Sequence, residues 1–212
     1  MTLFPYTTLF RSVVEDREDA HGYVVQEGWY DAEGRVALEE TRFDDGRFTA
    51  VSYRDGARAH RVEEDREDAH GYAVQERWYD AEGRVALEET HFDDGRFAAM
   101  SYRDGVRAHR VVEDREDAHD YDIREWWYDD EGRTAWEDAW FDDGRFVTTA
   151  YQDGVRVNRW IEDAGDAFNF AVREVGFDGE GRVAGTRTEW DDGRVTLTGL
   201  WSEPVQADMI FD

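Results

Sequence analysis

Residues 13–61 read VVEDREDAHGYVVQEGWYDAEGRVALEETRFDDGRFTAVSYRDGARAHR, and this stretch decides the fold because it returns three more times. It recurs from residue 62 with seven changes in 49 positions, from residue 111 more loosely, and from residue 160 in degraded form. A fixed period of this length is the signature of a repeat protein. We therefore divide the chain into repeat 1 (13–61), repeat 2 (62–110), repeat 3 (111–159), and a degenerate repeat 4 with its C-terminal cap (160–212).

Glycines that follow acidic residues punctuate each repeat. In repeat 1 they are Gly34 after DAE, Gly46 after DD and Gly56 after RD. Asp begins such turns by bonding its own backbone, and Gly supplies the positive φ that a tight hairpin requires. The runs between the turns are short and rich in β-branched and aromatic residues, which predicts antiparallel strands. In repeat 1 these predicted strands are 23–30, 35–43, 47–53 and 57–65.

The alternation along the predicted strands separates two all-β architectures. Tyr23, Val25 and Trp29 share one face of the first strand with Glu27, so that face carries charge among its apolar side chains. Blades of a four-bladed β-propeller, the alternative that four strands per repeat allow, bury both faces. An antiparallel meander can leave one face open to solvent. We therefore predict an all-β protein built as one continuous meander sheet, with a barrel or a sandwich as the remaining alternatives. The acidic connection 15–22 is the one segment that could hold a helical turn.

The composition limits the classes of partner. The chain has 212 residues with 52 acidic and 25 basic side chains, a net charge of −27, no Cys, and only Arg among its bases. Such a surface repels phosphate, so we expect neither nucleic acid nor an anionic membrane as a partner. No run approaches the roughly 18 apolar residues of a membrane span. The absence of Lys indicates a GC-rich genome, bacterial or halophilic archaeal.

Aromatic side chains are the candidate ligand-binding residues. A Trp recurs at one repeat position with a Tyr beside it, and repeat 3 adds further indoles, so an aromatic binding patch is expected there. Such rows can stack sugar rings or a partner's apolar strip, and they also stabilise sheets by cross-strand pairing. The candidate residues are Trp29, Tyr30, Trp78, Tyr79, Trp126, Trp127, Tyr128, Trp136 and Trp140.

Carboxylates that alternate in phase with apolar residues need partners if they are covered. Four occupy one repeat position, namely Glu27, Glu76, Glu125 and Glu174. We expect each to pair with an Arg of the set Arg61, Arg110 and Arg159. A carboxylate copied in every repeat is not the single dissimilar acid–base pair that hydrolysis requires.

Metal and cofactor sites are not expected. The EDRED runs at 15–19, 64–68 and 113–117 lack the Gly-punctuated loop of a Ca²⁺ site, and each contains an Arg. The six His residues include copies a full repeat apart, which places them too far from one another to share a metal ion.

The stretch WYDAEGRV at 29–36 and 78–85, with WYDDEGRT at 127–134 and GFDGEGRV at 176–183, resembles the YD repeat of RHS-type proteins. The FDDGRF and YRDG turns are similar to those of MORN-like hairpin repeats. RHS repeats form long spiralling sheets that enclose a toxin domain, and MORN-like repeats form elongated sheets used for binding. The resemblance covers about eight residues of each 49 and implies an elongated β-sheet without a catalytic residue.

The first twelve residues, MTLFPYTTLFRS, contain no acid and match no part of the repeat. They lack the basic segment and cleavage motif of a signal peptide. They resemble the translation of a sequencing-adapter oligonucleotide, so we interpret 1–12 as a non-native assembly artefact and the chain as a fragment. This interpretation predicts that 1–12 add no strand to the sheet.

These observations together predict a non-enzymatic, acidic β-repeat scaffold or protein-interaction module. The alternative is a carbohydrate- or peptide-binding protein that uses a face lined with Trp and Tyr. An exposed Trp row would favour the alternative, and buried indoles would favour the scaffold.

Overall fold

The structure, a computed structural model, describes residues 10–16, 22–67 and 70–200. These residues form sixteen β-strands and no helix. The strands are β1 (Phe10–Glu15), β2 (Tyr23–Tyr30), β3 (Val36–Phe43), β4 (Arg47–Arg54), β5 (Ala57–Asp65), β6 (Tyr72–Tyr79), β7 (Val85–Phe92), β8 (Arg96–Arg103), β9 (Val106–Asp114), β10 (Tyr121–Tyr128), β11 (Thr134–Phe141), β12 (Arg145–Gln152), β13 (Val155–Asp163), β14 (Phe170–Phe177), β15 (Val183–Trp190) and β16 (Val195–Gly199).

The strands are ordered in the sheet as they are in the chain, from β1 to β16. The sheet is therefore an open antiparallel meander, which confirms the predicted architecture. The propeller alternative is wrong, because a propeller needs separate blades rather than one sheet. Strand β2 and its counterparts β6, β10 and β14 begin 49 residues apart, so the period of the sequence is also the period of the backbone.

Two compact units make up the chain, 1–107 and 108–212, and the division falls inside β9. Within each unit, the described strands contact only the strands before and after them. No described strand packs over either face, so each unit is a single layer. The described core is accordingly thin, and its buried apolar residues are Val112, Tyr121, Ala139 and Phe170.

The predicted turns are confirmed. Asp55 and Gly56 have φ of 53° and 82°, the two positive values that a two-residue type I′ hairpin requires. Asp104–Gly105 and Asp153–Gly154 repeat this turn. The predicted strand bounds agree with the observed ones to within one residue in repeat 1.

Side chains divide between two faces that we name by repeat position. Face A carries Val25, Glu27 and Trp29 of β2 and the residues paired with them across the sheet; face B carries the alternate positions. Bulges near the strand ends shift this alternation: Trp29 pairs with Leu38, but Tyr30 pairs with Val36. Ala37 is thereby left without a partner, and the same shift recurs in the other repeats.

Residues 10–12 belong to β1, so the prediction that 1–12 add no strand is wrong for these three. Phe10 pairs with Tyr30 and Ser12 with Gly28. Backbone pairing explains the result, because the edge of β2 offers N–H and C=O groups to any extended chain, whatever its side chains. All six residues of β1 are exposed. Residues 1–9 lie outside the described residues, and the origin of the segment stays a prediction.

The possible helical turn of the acidic connection is absent from its copy in repeat 3. Residues 115–120 form an irregular loop, and residues 17–21 of the first copy lie outside the described part. No helix long and apolar enough to cross a membrane occurs among the described residues.

Candidate functional site

The WYDAEGRV motif forms a hairpin whose Asp and Arg are bound to each other. Asp129 Oδ1 accepts hydrogen bonds from the backbone N–H groups of Glu131 and Arg133, at 3.0 and 2.9 Å. Its other oxygen accepts one from Arg133 Nε at 2.8 Å. The backbone N–H of Arg133, followed by the Arg133 side chain, holds the pKa of Asp129 below its ordinary value. The motif that resembles a YD repeat is thus accounted for by turn geometry.

The FDDGRF turn has its own Asp–Arg contact, and the Arg also lies over an aromatic ring. Arg145 Nε donates to Asp143 Oδ2 at 2.8 Å, and its guanidinium carbon is 4.7 Å from the centre of the Phe141 ring. Arg47 and Arg96 do the same with Phe43 and Phe92, at 4.8 and 4.9 Å. Two Arg residues of each repeat, such as Arg133 and Arg145 in repeat 3, are therefore engaged in turn structure.

The recurring indoles lie on face A but do not form a continuous ladder. Trp29 and Trp78 share one row across unit 1 with Leu38, Ser52 and His60 between them. Four strand spacings separate the two indoles, about 19 Å. Each is half-buried. An aromatic ladder for a flat ligand is therefore absent from this part of the described sheet.

Each of these indoles is partly covered by a cationic or aromatic neighbour. The rings of His60 and Trp78 stack with centres 4.7 Å apart, and those of His109 and Trp127 with centres 4.8 Å apart. Arg11 lies over Trp29 at 5.8 Å. These three Trp residues are therefore half-buried, and their contacts with His60, His109 and Arg11 explain why each ring is partly covered.

The candidate Trp136 pairs directly with Trp127 on face A, whereas the Tyr candidates and Trp126 lie on the other face. Tyr30, Tyr79 and Tyr128 follow the Trp directly in their strands and so point to face B. Trp126 is also on face B, where the guanidinium groups of Arg110 and Arg124 each lie 5.0 Å from its ring. The structure therefore separates the Tyr candidates and Trp126 from the indoles of face A, where Trp127, Trp136 and Trp140 lie together.

The expected partners Arg61, Arg110 and Arg159 are wrong, although Glu27 and Glu174 do each contact another Arg. Val62 is the residue opposite Glu76, so Arg61 lies one position along and points to the other face. Arg61 instead contacts Glu63 on face B. The carboxylates have other partners: Arg11 at 2.5 Å for Glu27, His60 at 2.9 Å for Glu76, His109 at 3.9 Å for Glu125, and Arg187 at 3.6 Å for Glu174.

Aromatic residues of the neighbouring strands β11, β12 and β13 lie close together on face A of unit 2. Strand β11 places Trp136, Asp138 and Trp140 there in succession. Trp140 pairs with Phe146 of β12, and the two ring centres are 4.9 Å apart. Asp138 pairs with Thr148, which in turn pairs with Trp160 of β13. The exposed fraction of Trp140 is 37%, whereas the other indoles of the group are half-buried.

Asp138 lies at the centre of this group with one oxygen engaged. Its Oδ1 accepts hydrogen bonds from Trp136 Nε1 at 2.8 Å and from the Thr148 hydroxyl. Oδ2 accepts no hydrogen bond from any described residue. Burial raises the pKa of Asp138 above its ordinary value, and no described cation pairs with the group to offset that effect. The carboxylate is therefore oriented by two donors and has a free oxygen.

Glu162 completes the group. It pairs across the strands with Phe146 and is exposed. Among the residues that the structure describes, Glu162 makes no ion pair, in contrast to Glu64 and Glu113, which pair with Arg66 and Arg115 at 2.7 Å. We name Trp136, Asp138, Trp140, Phe146, Trp160 and Glu162 the indole–carboxylate patch.

The acidic loops form a second cluster at one end of the strands. Burial, followed by the charges of Asp117, Asp122, Asp114 and Asp120, raises the pKa of Asp142. Asp114 itself accepts from the backbone and ring of His119. No group of three or more His, Asp or Glu residues in the described ranges is placed to hold a metal ion.

A shallow groove lies further along unit 2. It has a volume of about 490 Å³ and is lined by Asn169, Trp190, Asp191, Asp192, Arg194 and Thr196. Its Arg is already bound to Asp192 at 2.6 Å in the turn, and the Trp190 ring nitrogen donates to Thr196 at 3.1 Å. The side chains of Arg194, Asp192, Trp190 and Thr196 are thus already bonded in pairs within the hairpin, so we do not take the groove as a ligand site.

Sequence reasoning identified Trp136 and Trp140 but missed Asp138, Phe146, Trp160 and Glu162. Alternation along β11 already places position 138 between the two indoles on one face. Trp160 lies two strands away from Asp138, and only the register of β11, β12 and β13 brings it into the same row.

Comparison with known proteins adds no relative: no protein-family model matches this chain, and no curated protein matches it.

Proposed function

We propose that this chain is a non-enzymatic interaction scaffold that binds a protein partner on the open face of its repeat sheet. The observation that carries the proposal is the indole–carboxylate patch, which lies on an uncovered face with Trp140 exposed. Interfaces between proteins are enriched in Trp and other aromatic side chains at their centres. A single-layer sheet presents such residues without a cleft.

The copied residues support interaction rather than catalysis. The Asp–Arg turns recur in all four repeats with the same contacts, as at Asp31–Arg35 and Asp178–Arg182. They keep the strands in register and leave the face residues free to vary between repeats. Variable side chains on a constant repeat backbone are the arrangement by which solenoid proteins form extended binding surfaces.

A carbohydrate is the second candidate ligand, and Trp140 is the observation that favours it. An exposed indole beside a carboxylate can stack on a sugar ring while the carboxylate accepts from its hydroxyl groups. The acidity of the chain does not contribute to binding a neutral sugar, so we place the protein partner first.

Parallel capture experiments test the proposal. The full chain and its triple variant Trp136→Ala, Trp140→Ala, Trp160→Ala are immobilised and exposed to extract of the organism that encodes them. We expect at least one protein to be retained by the natural chain and lost by the triple variant. A double variant Trp29→Ala, Trp78→Ala is the matched control and should retain it.

Two results would oppose the proposal. Identical sets of proteins on all three chains would show that the indoles of the indole–carboxylate patch select no partner. Retention of the natural chain on immobilised cello- or chito-oligosaccharides, abolished in the triple variant, would establish the carbohydrate candidate instead.

A further inference from the structure

We propose that the indole–carboxylate patch binds a cationic side chain, an Arg guanidinium, carried by a basic segment of the partner protein. The inference rests on the proposed function, since it names the chemistry of the partner at the same face. Four observations lead to it: the free oxygen of Asp138, the surrounding indoles, the loss of internal cations from this repeat, and the charge of the chain.

Asp138 is prepared to accept hydrogen bonds from a donor outside the chain. Trp136 and Thr148 both donate to Oδ1 and so fix the plane of the carboxylate. Oδ2 accepts from no described residue, and the group is half-buried. A guanidinium satisfies such an oxygen with a charge-assisted hydrogen bond, which is stronger than a bond between neutral groups.

Two indoles flank the carboxylate along its strand, and a third lies two strands away in its row. Trp136 and Trp140 are its neighbours on β11, and Trp160 follows Thr148 in the row across the strands. A cation over the face of a Trp ring is attracted by the ring quadrupole, and Trp is the strongest of the aromatic residues in this respect. Guanidinium groups also stack on such faces, which ammonium groups do not do as well.

The other repeats carry basic side chains at positions where this patch has none. Trp140 occupies the repeat position of Arg42 in repeat 1 and His91 in repeat 2. Ala164 occupies the position of Arg66 and Arg115, the residues that pair with the counterparts of Glu162. The carboxylates are therefore kept while the basic side chains of the other repeats, Arg42, Arg66 and Arg115 among them, are replaced, and a cation of the ligand would take their place.

The charge of the whole chain selects the same class of partner. A net charge of −27 attracts basic segments and accelerates their encounter with the surface. The net charge alone would attract basic segments to any part of the surface. Binding at the patch must therefore be distinguished from this nonspecific attraction. Substitutions that change the net charge equally, inside and outside the patch, provide that distinction.

The test uses two peptides that differ in one functional group. Acetyl-Gly-Arg-Gly-Gly-Arg-Gly-amide and the same peptide with citrulline in place of Arg are titrated into the full chain by isothermal titration calorimetry. Citrulline keeps the shape of the side chain and removes its charge. We expect the Arg peptide to bind and the citrulline peptide to bind at least tenfold more weakly.

Three variants locate the binding. Asp138→Asn and Trp140→Ala should each weaken the Arg peptide by about tenfold, whereas Glu40→Gln, which changes the net charge equally in repeat 1, should leave it unchanged. Thermal unfolding of each variant confirms that it is folded. Equal losses for Asp138→Asn and Glu40→Gln would overturn the inference, because they would show attraction by charge alone.

The remaining outcomes separate this inference from the proposed function. No binding of the Arg peptide, or equal binding of both peptides, overturns the cationic occupant. If capture of a partner still depends on the three indoles, the scaffold proposal stands with another ligand chemistry. Binding of cello- or chito-oligosaccharides that is lost in Trp140→Ala would overturn both, in favour of a sugar.

Discussion

Strands β3 and β11 hold the same place in repeats 1 and 3, and both begin directly after the same kind of Asp–Arg turn. Their face A residues differ: β3 carries Leu38, Glu40 and Arg42, and β11 carries Trp136, Asp138 and Trp140. Both strands have an acidic residue at the middle position, but the flanking aliphatic and basic residues of β3 are replaced by indoles in β11. The backbone of the repeat therefore sets the place of each side chain, and the substitutions on it decide whether a face is structural or can bind.

The largest expected effect comes from returning the cation to repeat 3. Trp140→Arg places at position 140 the residue that repeat 1 has at Arg42. We expect the affinity for the Arg peptide to fall by more than tenfold, which corresponds to about 1.4 kcal/mol, because the new guanidinium competes for Asp138 and repels the ligand. Calorimetric titration measures the change.

The reverse substitution is its control. Arg42→Trp adds one indole to repeat 1 without the other two, so peptide affinity should stay within twofold of the natural chain. A gain of binding in Arg42→Trp, or unchanged binding in Trp140→Arg, would show that the two repeats do not differ in the way proposed.

The second effect concerns stability on face B. Thr149 is 1% exposed, and its hydroxyl accepts from Arg159 Nε at 3.2 Å. Thr149→Val keeps the shape but leaves Arg159 without that acceptor, so the free energy of unfolding should fall by about 1–2 kcal/mol. Urea denaturation measures it.

Repeat 1 supplies the matched substitution. Thr49 is likewise buried on face B, at 7% exposed, but among the described residues its hydroxyl accepts no hydrogen bond from an Arg. Thr49→Val should therefore cost less than about 0.5 kcal/mol. Equal losses at the two positions would mean that the Arg159 contact contributes nothing specific.

The third effect is a gain of stability in the free protein. Burial disfavours the charged form of Asp138, so its pKa is raised and folding is opposed whenever the group is ionised. Asp138→Asn should therefore stabilise the unliganded chain at pH 7, by about 0.5 kcal/mol, while it weakens peptide binding.

The pH dependence of that difference has a defined sign. Because the folded pKa of Asp138 lies above its unfolded value, protonation relieves the penalty as the pH falls through the folded pKa. The stability advantage of Asp138→Asn should shrink toward acid pH. Melting temperatures at a series of pH values test this, and an advantage that grows on acidification would contradict it.

The smallest difference between repeats is expected at the turns. Backbone and side-chain donors of Arg133 lower the pKa of Asp129, so its contribution to stability is present above the unfolded pKa and is lost as the pH falls through the folded pKa. Asp129→Asn and Asp31→Asn should lower the melting temperature at pH 7 by similar amounts, a few degrees each. Losses that differ strongly would show that the turns are not equivalent.

The sequence alone was sufficient for the strands because turn chemistry is local. Asp55–Gly56 requires two positive φ values, and few residues other than Asp and Gly accept them, so the hairpin can be located without knowledge of its neighbours. The alternation of side chains along the first strand, which places Glu27 on one face with apolar residues, also distinguished the meander from the propeller, because propeller blades bury both faces.

The site could not be predicted in full because it depends on register. Trp126 and Trp127 are adjacent in sequence and lie on opposite faces, while Asp138 and Trp160 are 22 positions apart and lie in one row. Glu76 likewise pairs with Val62, so Arg61 points to the opposite face and cannot form the expected ion pair with Glu76. A shift of one residue in strand pairing exchanges the faces, and composition does not reveal such shifts.

The most direct test of the difference between the repeats is to observe the indoles themselves. The chain has nine Trp residues, and the Nε1–H resonance of each can be followed by NMR during titration with the Arg peptide. We predict that the resonances of Trp136, Trp140 and Trp160 shift together with one affinity, while those of Trp29 and Trp78 stay in place. Shifts spread evenly over all the indoles, or confined to Trp29 and Trp78, would contradict the assignment of binding to the indole–carboxylate patch.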